Sequence, residues 1–457
     1  MDLAFSSITE IAAAIAARKI SAVEVLDAHL ARIDRHNEAL NAVVIFDREG
    51  ARERTRQADA ALARGDMPGP LHGVPFTLKD AHETEGMRTT AGFPPFADYV
   101  ANQDSPVAAR LKAAGGILIG KSNVATMLGD WQSDNPLFGR TGNPWDLSRT
   151  AGGSSGGAAA AVATGMTPFE VGTDMQDSIR LPAAFCGVYG LKPTEHRVSL
   201  AGAFPNPGDA PRSVRLMSCV GPLARGVEDL ALIYSIIAGP DGADTDLPPV
   251  PVETVPKLEL KSLRIAFTGE FSGFPVAGEI SAALEKLAAQ LASAGARVEE
   301  ARLPKLDLHD DLAEGGKLIG MMLEAAQPEA PEQPTPVSRW FAALARRDRS
   351  ILAWERFFES CDALLCPVAM TTAFPHCMPG SPLEVDGKDE SYWILPAHGA
   401  VFNYSGHPAL AFPCGQDSDG LPIGLQLVGR HWSEARLLGI AAVIAPLAGG
   451  FCRPPGY

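Results

Sequence analysis

The sequence has no Cys-x-x-Cys pair. Its seven cysteines, at positions 186, 219, 361, 366, 377, 414 and 452, are odd in number and irregularly spaced. Neither a zinc site nor a disulfide framework is indicated, and buried free thiols in a reducing cytoplasm are the expectation. No stretch approaches ~20 uninterrupted apolar residues, which excludes an ordinary membrane span. The first residues, Met1 to Phe5, carry no basic stretch leading into an apolar run, so no secretory signal is visible and a cytoplasmic location is expected. Basic residues are scarce, 39 against 54 acidic, for a net charge of −15. That field repels phosphate backbones, so nucleic acid is not an expected partner. There is no internal repeat and no clean linker. The 457 residues therefore read as one large domain, although length alone would allow more.

What is present is an alternation of short apolar runs and helical stretches. Ser7-Ile8-Thr9-Glu10 and Ser21-Ala22-Val23-Glu24 have the spacing of reciprocal helix caps. Val23, Leu26, Leu30 and Ile33 then recur at helical spacing. A third helix is expected over 50–64. Strands are expected at 71–78, 116–119, 363–366, 409–412 and 424–428. Helices are expected at 105–114, from 158, over 338–360 and over 434–445. Residues 263–300 read as a βαβ unit, 239–260 as a connecting loop and 327–336 as a proline-rich surface loop. The alternation predicts an α/β/α sandwich around a large mixed β-sheet. It divides into N-terminal helices (1–65), a central core (70–240) and a second α/β portion (260–457) completing the sheet.

The stretch Thr150-Ala151-Gly152-Gly153-Ser154-Ser155-Gly156-Gly157 places four glycines around two serines, where backbone can approach a ligand closely. Alone it reads as a flexible linker or a phosphate-cradling turn. Its companions are Leu71-His72-Gly73-Val74-Pro75-Phe76-Thr77-Leu78-Lys79-Asp80 upstream and Gly172-Thr173-Asp174-Met175-Gln176-Asp177-Ser178-Ile179-Arg180 downstream. Together, in this order and spacing, the three segments resemble the amidase signature family. The resemblance extends to Gly120-Lys121-Ser122-Asn123, Asn143-Pro144-Trp145-Asp146 and residues 420–429, and so spans most of 70–430.

The resemblance implies a hydrolase of C–N bonds other than peptide bonds, using Ser178 as nucleophile, Ser154 as a bridging serine on a cis peptide and Lys79 as general base. It also implies an acyl-enzyme, no metal or organic cofactor, and amide, anilide, ester or carbamate (urethane) substrates. The chemistry agrees with these roles. A serine hydroxyl needs an adjacent base, and lysine serves only when desolvation keeps it unprotonated, as the apolar run before Lys79 would. Asp80 is expected to point elsewhere. Asp174 and Arg180 either fix the turn through backbone hydrogen bonds or form a buried ion pair. Thr150 either reaches Lys79 or caps its own turn, and Ser155 is expected to support the site.

The family usually has two small residues before the nucleophile, and here they are Gln176 and Asp177. The backbone N–H groups of Met175, Gln176, Asp177 and Ser178 are the expected oxyanion hole. Positive φ would strain Gln more than Asp, and an inward carboxylate would oppose a developing oxyanion. Three outcomes are open: both side chains outward with the turn intact, a role in substrate recognition, or weakened activity. Met127, Leu128, Trp131 and Phe138, with Leu137, Met217 and Phe204-Pro205, are pocket candidates or ordinary core.

The pattern at 115–122 fits a phosphate loop, but its middle reads as strand, which argues against nucleotide binding. His72, His196, His376 and His407 lack ligand spacing and read as structural. A small-molecule substrate, no membrane, and a monomer or homodimer complete the expectation. Two other functions remain: an A-type amidotransferase component releasing ammonia from glutamine, and a binding protein that has lost its oxyanion hole.

Overall fold

The computed structural model describes residues 2–66, 69–206, 212–271, 273–326 and 333–457. The chain opens on helices α1 (Ile8–Ala16) and α2 (Ala22–Leu40), each starting on the predicted reciprocal cap. Ser7 Oγ accepts the Glu10 amide at 3.2 Å while the Glu10 carboxylate accepts the Ser7 amide at 2.9 Å. Ser21 and Glu24 repeat the arrangement at 3.1 and 2.8 Å. Leu26, Leu30 and Ile33 are buried as the spacing predicts, with Val25 rather than Val23 completing the stripe.

Next come β1 (Val43–Phe46), α3 (Arg48–Arg64), β2 (Pro75–Lys79), α4 (Pro106–Ala113) and β3 (Ile117–Ser122). Their three strands form a sheet of their own in the order β1-β3-β2, with β2 parallel and β1 antiparallel to β3. This small sheet stands beside the large mixed sheet that the sequence predicts. Strand β3 runs through Lys121 and Ser122, so the phosphate-loop pattern lies on extended backbone with no cradle of turn amides.

The remaining elements are α5 (Gly156–Ala163), β4 (Phe169–Asp174), α6 (Arg180–Cys186), β5 (Tyr189–Lys192), β6 (Cys219–Ala224), α7 (Val227–Ile237), β7 (Arg264–Phe267), α8 (Gly278–Ser293), β8 (Arg297–Glu300), α9 (Leu308–Ala325), α10 (Val337–Phe357), β9 (Ala363–Pro367), the hairpin β10 (Leu383–Val385) and β11 (Lys388–Glu390), α11 (Ala397–Tyr404), β12 (Ala409–Gln416), β13 (Pro422–Val428) and α12 (Glu434–Ala448). Eight strands make a mixed sheet in the order β4-β6-β5-β12-β13-β9-β7-β8. The βαβ unit is β7-α8-β8, with its strands parallel. Alternate residues of β12 enter different cores. Leu410 and Phe412 join side chains of α7, α8 and α12, whereas Ala411 joins those of α5 and α6. Helices therefore cover both faces of the sheet. Most of the proline-rich loop expected at 327–336 falls on 327–332, outside the described residues. Among the described residues no helix is long and apolar enough to cross a membrane.

Helix α5 decides how the two sheets meet. All eight of its residues are Gly, Ala or Val and all are buried. It touches β1, β2 and β3 on one side and β4 and β6 on the other. A β-carbon at Gly157 would lie 2.4 Å from Asn123 N and 2.6 Å from Ala42 O, so no larger residue fits there. The helix is a wedge of small residues that lets the end of β2 approach the end of β4.

Candidate active site

The proposed base and the proposed nucleophile come from different sheets. Lys79 ends β2 and is fully buried. Its Nζ donates to Ser154 Oγ at 2.8 Å, to Thr173 Oγ1 at 2.8 Å and to Thr173 O at 3.3 Å. Among the described residues no carboxylate lies in ion-pair contact with it. Asp80 turns away, accepting the Thr90 amide and hydroxyl at 3.0 and 2.5 Å. Burial lowers the Lys79 pKa to about 7, against the opposing charges of Asp174 and Glu170. Ser154 follows a cis Gly153–Ser154 bond and lies just ahead of α5. Its carbonyl accepts the Ser133 hydroxyl at 3.2 Å, and the same hydroxyl accepts the Gly156 amide at 2.8 Å. Thr150 caps its own turn, accepting the Gly152 amide at 3.0 Å, and does not reach Lys79.

Ser178 stands just before α6, 8% exposed, and its hydroxyl makes no hydrogen bond to the described residues. Its carbonyl accepts the Ser155 amide at 3.2 Å, and Ser155 Oγ donates to Thr173 O at 3.4 Å. Ser155 thereby ties the Ser178 turn to β4, whose Thr173 accepts from Lys79. Asp174 fulfils both of its expected roles. It accepts the amides of Asp177 at 2.9 Å and Ile179 at 3.0 Å, and it pairs with Arg180 Nε at 3.1 Å inside the core. Burial alone would raise the Asp174 carboxyl, but Arg180, Lys192 and Asn403 together outweigh it and hold the pKa at about 2. Asn403 of α11 donates to Asp174 Oδ1 at 2.8 Å, to Asp174 O at 3.1 Å and to Met217 O at 3.0 Å.

The Asp177 amide is thus already committed to Asp174. Among the four expected oxyanion donors, the N–H groups of Met175, Gln176 and Ser178 are the ones without a hydrogen bond inside the described residues. Of the three outcomes left open, the first does not hold for Asp177, whose side chain does not turn outward. The residue takes φ of 75°, is fully buried, and sets Oδ1 3.2 Å from Arg180 Nε. Aspartate tolerates this left-handed backbone better than most residues. Burial pushes its carboxyl well above the usual range, with Arg180 opposing and Asp174 adding to the rise. Burial thus shifts this carboxyl towards its neutral form, in which it would oppose an oxyanion less. Gln176, half-buried, does not take the positive φ.

The inward turn has a partner in α11. A β-carbon on Gly399 would lie 2.0 Å from Asp177 Oδ1. Gly399→Ala is therefore expected to cost about 1–3 kcal/mol by overpacking. In an Asp177→Gly background the same change should cost markedly less. Urea denaturation of the four proteins in this double-mutant cycle measures the coupling, and equal costs in both backgrounds would refute the contact.

A second buried carboxyl lies near the base. Glu170 of β4 is fully buried and its Oε1 lacks a hydrogen-bond partner, as do the hydroxyls of Thr77 and Ser122 beside it. Burial raises its pKa to about 7, with those hydroxyls opposing. When ionised it favours the protonated form of Lys79. Glu170→Gln should move the acid limb of the rate–pH profile to lower pH, because the base then loses its proton more easily. An unmoved or raised limb would contradict this coupling.

Of the pocket candidates, Trp131 touches the nucleophile turn, donating from Nε1 to Gln176 O at 3.2 Å. Met127 is 48% exposed, and Met127 and Leu128 occupy a short turn at positive φ. Phe138 is half-buried, its carbonyl accepting from Asn41 at 2.7 Å. Met217 packs with Met175 and Tyr404, and Phe204 packs against the main core. Sequence reasoning missed Thr173, Asn403 and Glu170. Thr173 stood inside the quoted motif, where a hydroxyl next to Asp174 was a readable signal. Asn403 lies 229 residues from Asp174 and carried no local signal.

Spacing also hid that His407, His431 and Glu355 place ligand atoms within 4.8 Å of one another. The two rings stack nearly parallel with centroids 4.0 Å apart, so one ion cannot lie in both ring planes. Their nitrogens bond Ser405 and Glu355 instead. His407 remains structural.

The family model described as Amidase matches residues 24–326 and 324–438. The A component of a glutamyl-tRNA(Gln) amidotransferase from Moorella thermoacetica is 36% identical over 96% of each chain. An acylamidase from Rhodococcus erythropolis is 34% identical over 96% of this chain and 95% of its own. The solved structure of 6-aminohexanoate cyclic dimer hydrolase with its substrate superposes with a TM-score of 0.82 at 28% identity, covering 100% of this chain and 99% of that one. With the fold and these matches in agreement, the chain belongs to the amidase signature family.

Proposed function

We propose that the protein hydrolyses carboxylic amides of small molecules through an acyl-enzyme, with anilides, carbamates and esters presenting the same carbonyl geometry. The observation that carries this reading is Lys79: fully buried, free of any carboxylate partner among the described residues, and 2.8 Å from the hydroxyl of Ser154. Ser178 Oγ attacks the carbonyl while its proton passes through Ser154 Oγ to Lys79 Nζ. The oxyanion is met by the free N–H groups of the 175–178 turn. As the C–N bond breaks, the departing amine takes the proton back along the same route, and water then opens the acyl ester. The reading requires Ser178 Oγ to swing toward Ser154 when substrate is seated, since catalytic contacts often tighten only then. Stoichiometric labelling of Ser178 by a phosphonofluoridate, with matching loss of amide hydrolysis, tests it. An unlabelled Ser178 would leave a binding protein.

The amidotransferase relatives favour a second reading, in which the chain releases ammonia from glutamine for a partner protein. The net charge of −15 opposes direct contact with tRNA. Ammonia release from glutamine that rises on adding such a partner would decide for it.

A further inference from the structure

One wall beside the nucleophile turn is aromatic, and its parts come from segments far apart in sequence. Gly153 lets residues 130–132 press against the Ser154 loop: a β-carbon there would lie 2.5 Å from Asp130 O and 2.7 Å from Trp131 C. Trp131 is thereby held next to the Ser154 loop, and its indole N–H is fixed on Gln176 O, two residues before Ser178. Its ring meets Tyr392 with centroids 5.4 Å apart and Trp393 with centroids 5.7 Å apart, while Tyr392 and Trp393 stand edge to face at 5.4 Å.

Tyr392 cannot turn away. It is fully buried, its hydroxyl donates to Asp130 Oδ1 at 2.5 Å, and it accepts from Gln132 Nε2 at 3.2 Å. Gln132 also grips both the amide and the carbonyl of Cys377, at 3.1 and 2.8 Å. The turn that follows packs Gly380 against the Trp393 ring. Yet Trp393 is 58% exposed, and Met378, next to Cys377, is 77% exposed. A buried, hydrogen-bonded frame that holds large apolar side chains open to solvent beside a nucleophile marks a ligand surface rather than core. Edge-to-face aromatic packing leaves ring faces available to a further arene.

We infer that Trp131 and Trp393, held in place by the buried Tyr392, form an arene-binding wall, and that the preferred substrates carry an aromatic ring on the scissile carbonyl or on its nitrogen. The inference rests on the hydrolase reading, and its test separates the two. Phosphonofluoridate titration of the full chain first counts competent sites. Rates are then compared for benzamide against cyclohexanecarboxamide, and for acetanilide against N-cyclohexylacetamide. The members of each pair are alike in size, and only one has a π face.

At least one aryl member should exceed its saturated partner by about 10- to 100-fold in kcat/KM, and which pair shows it tells on which side of the bond the ring sits. Trp393→Leu, an exposed site, should collapse that ratio to within about threefold, chiefly through KM. Trp131→Phe keeps a ring but loses the hydrogen bond to Gln176, so it should lower kcat on all four substrates while the ratio stays. Equal rates within both pairs in fully titrated enzyme, or a ratio untouched by Trp393→Leu, would overturn the wall. Failure to label Ser178 would overturn the hydrolase reading, and the wall with it.

Discussion

Ser178→Ala should lower kcat for amide hydrolysis by on the order of 10⁴-fold or more while leaving the fold intact. The two halves of this expectation have separate causes. The Ser178 hydroxyl makes no hydrogen bond to the described residues, so removing it strands no partner and should change stability by no more than about 0.5 kcal/mol. What ties Ser178 into the turn is backbone: its carbonyl accepts the Ser155 amide, and Asp174 holds the amides of its neighbours Asp177 and Ile179, and alanine keeps all of this. Turnover, by contrast, needs an oxygen to form the acyl ester. Circular dichroism and urea midpoints matching the parent, together with lost hydrolysis and lost labelling, are the expected results. Retained hydrolysis would mean that another group attacks the carbonyl.

Lys79→Met should abolish turnover to a similar degree and yet stabilise the protein. In the unfolded chain the amine takes its proton below about 10.5, but in the folded protein burial delays this to about 7. Because the folded pKa is the lower one, stability falls as pH drops from about 10.5 towards 7 and changes no further below it. The cost at neutral pH is on the order of 5 kcal/mol. Methionine fills much the same volume without that cost, though it strands the hydroxyls of Ser154 and Thr173, at about 1 kcal/mol each. A net gain of about 3 kcal/mol at pH 7, shrinking as pH rises towards 10, is the expected result in urea titrations.

The wild-type rate should rise with pH through about 7, as Nζ loses its proton. A Lys79→Met protein that is both less stable and still active would remove the buried-base argument altogether.

The parts of this site that were legible in the sequence are those whose signal is local. The caps at Ser7 and Ser21 need only a carboxylate three residues on. The glycines around Ser154 and the Asp174 to Arg180 turn carry their geometry within a few residues. The interactions that escaped reading are long-range. Asp177 turns inward because α11 presents Gly399, 222 positions later in the sequence, where any side chain would block it. Asn403 reaches the turn before Ser178, and Trp393 reaches Trp131, from similarly distant segments.

Helix α9 was not anticipated because Gly315, Gly316 and Gly320 lie inside it, and glycine weakens an isolated helix by about 1 kcal/mol each. Burial of Leu308, Leu318 and Met322 supplies what local propensity lacks. The separate sheet built on β3 was missed for a related reason. Strand patterns announce strands, but not which of them pair.

No strand of the three-stranded sheet pairs with a strand of the eight-stranded one among the described residues, so the amine and the two serines keep their alignment through side-chain contacts across the seam and through the seating of α5. Chemistry here acts as a gauge of that seam. A shift of one sheet by a fraction of a bond length would leave spectra, melting point and compactness almost untouched and still silence the enzyme. Among otherwise well-folded variants, catalytic rate is therefore the sensitive measure of how tightly the glycines and alanines of that helix are packed.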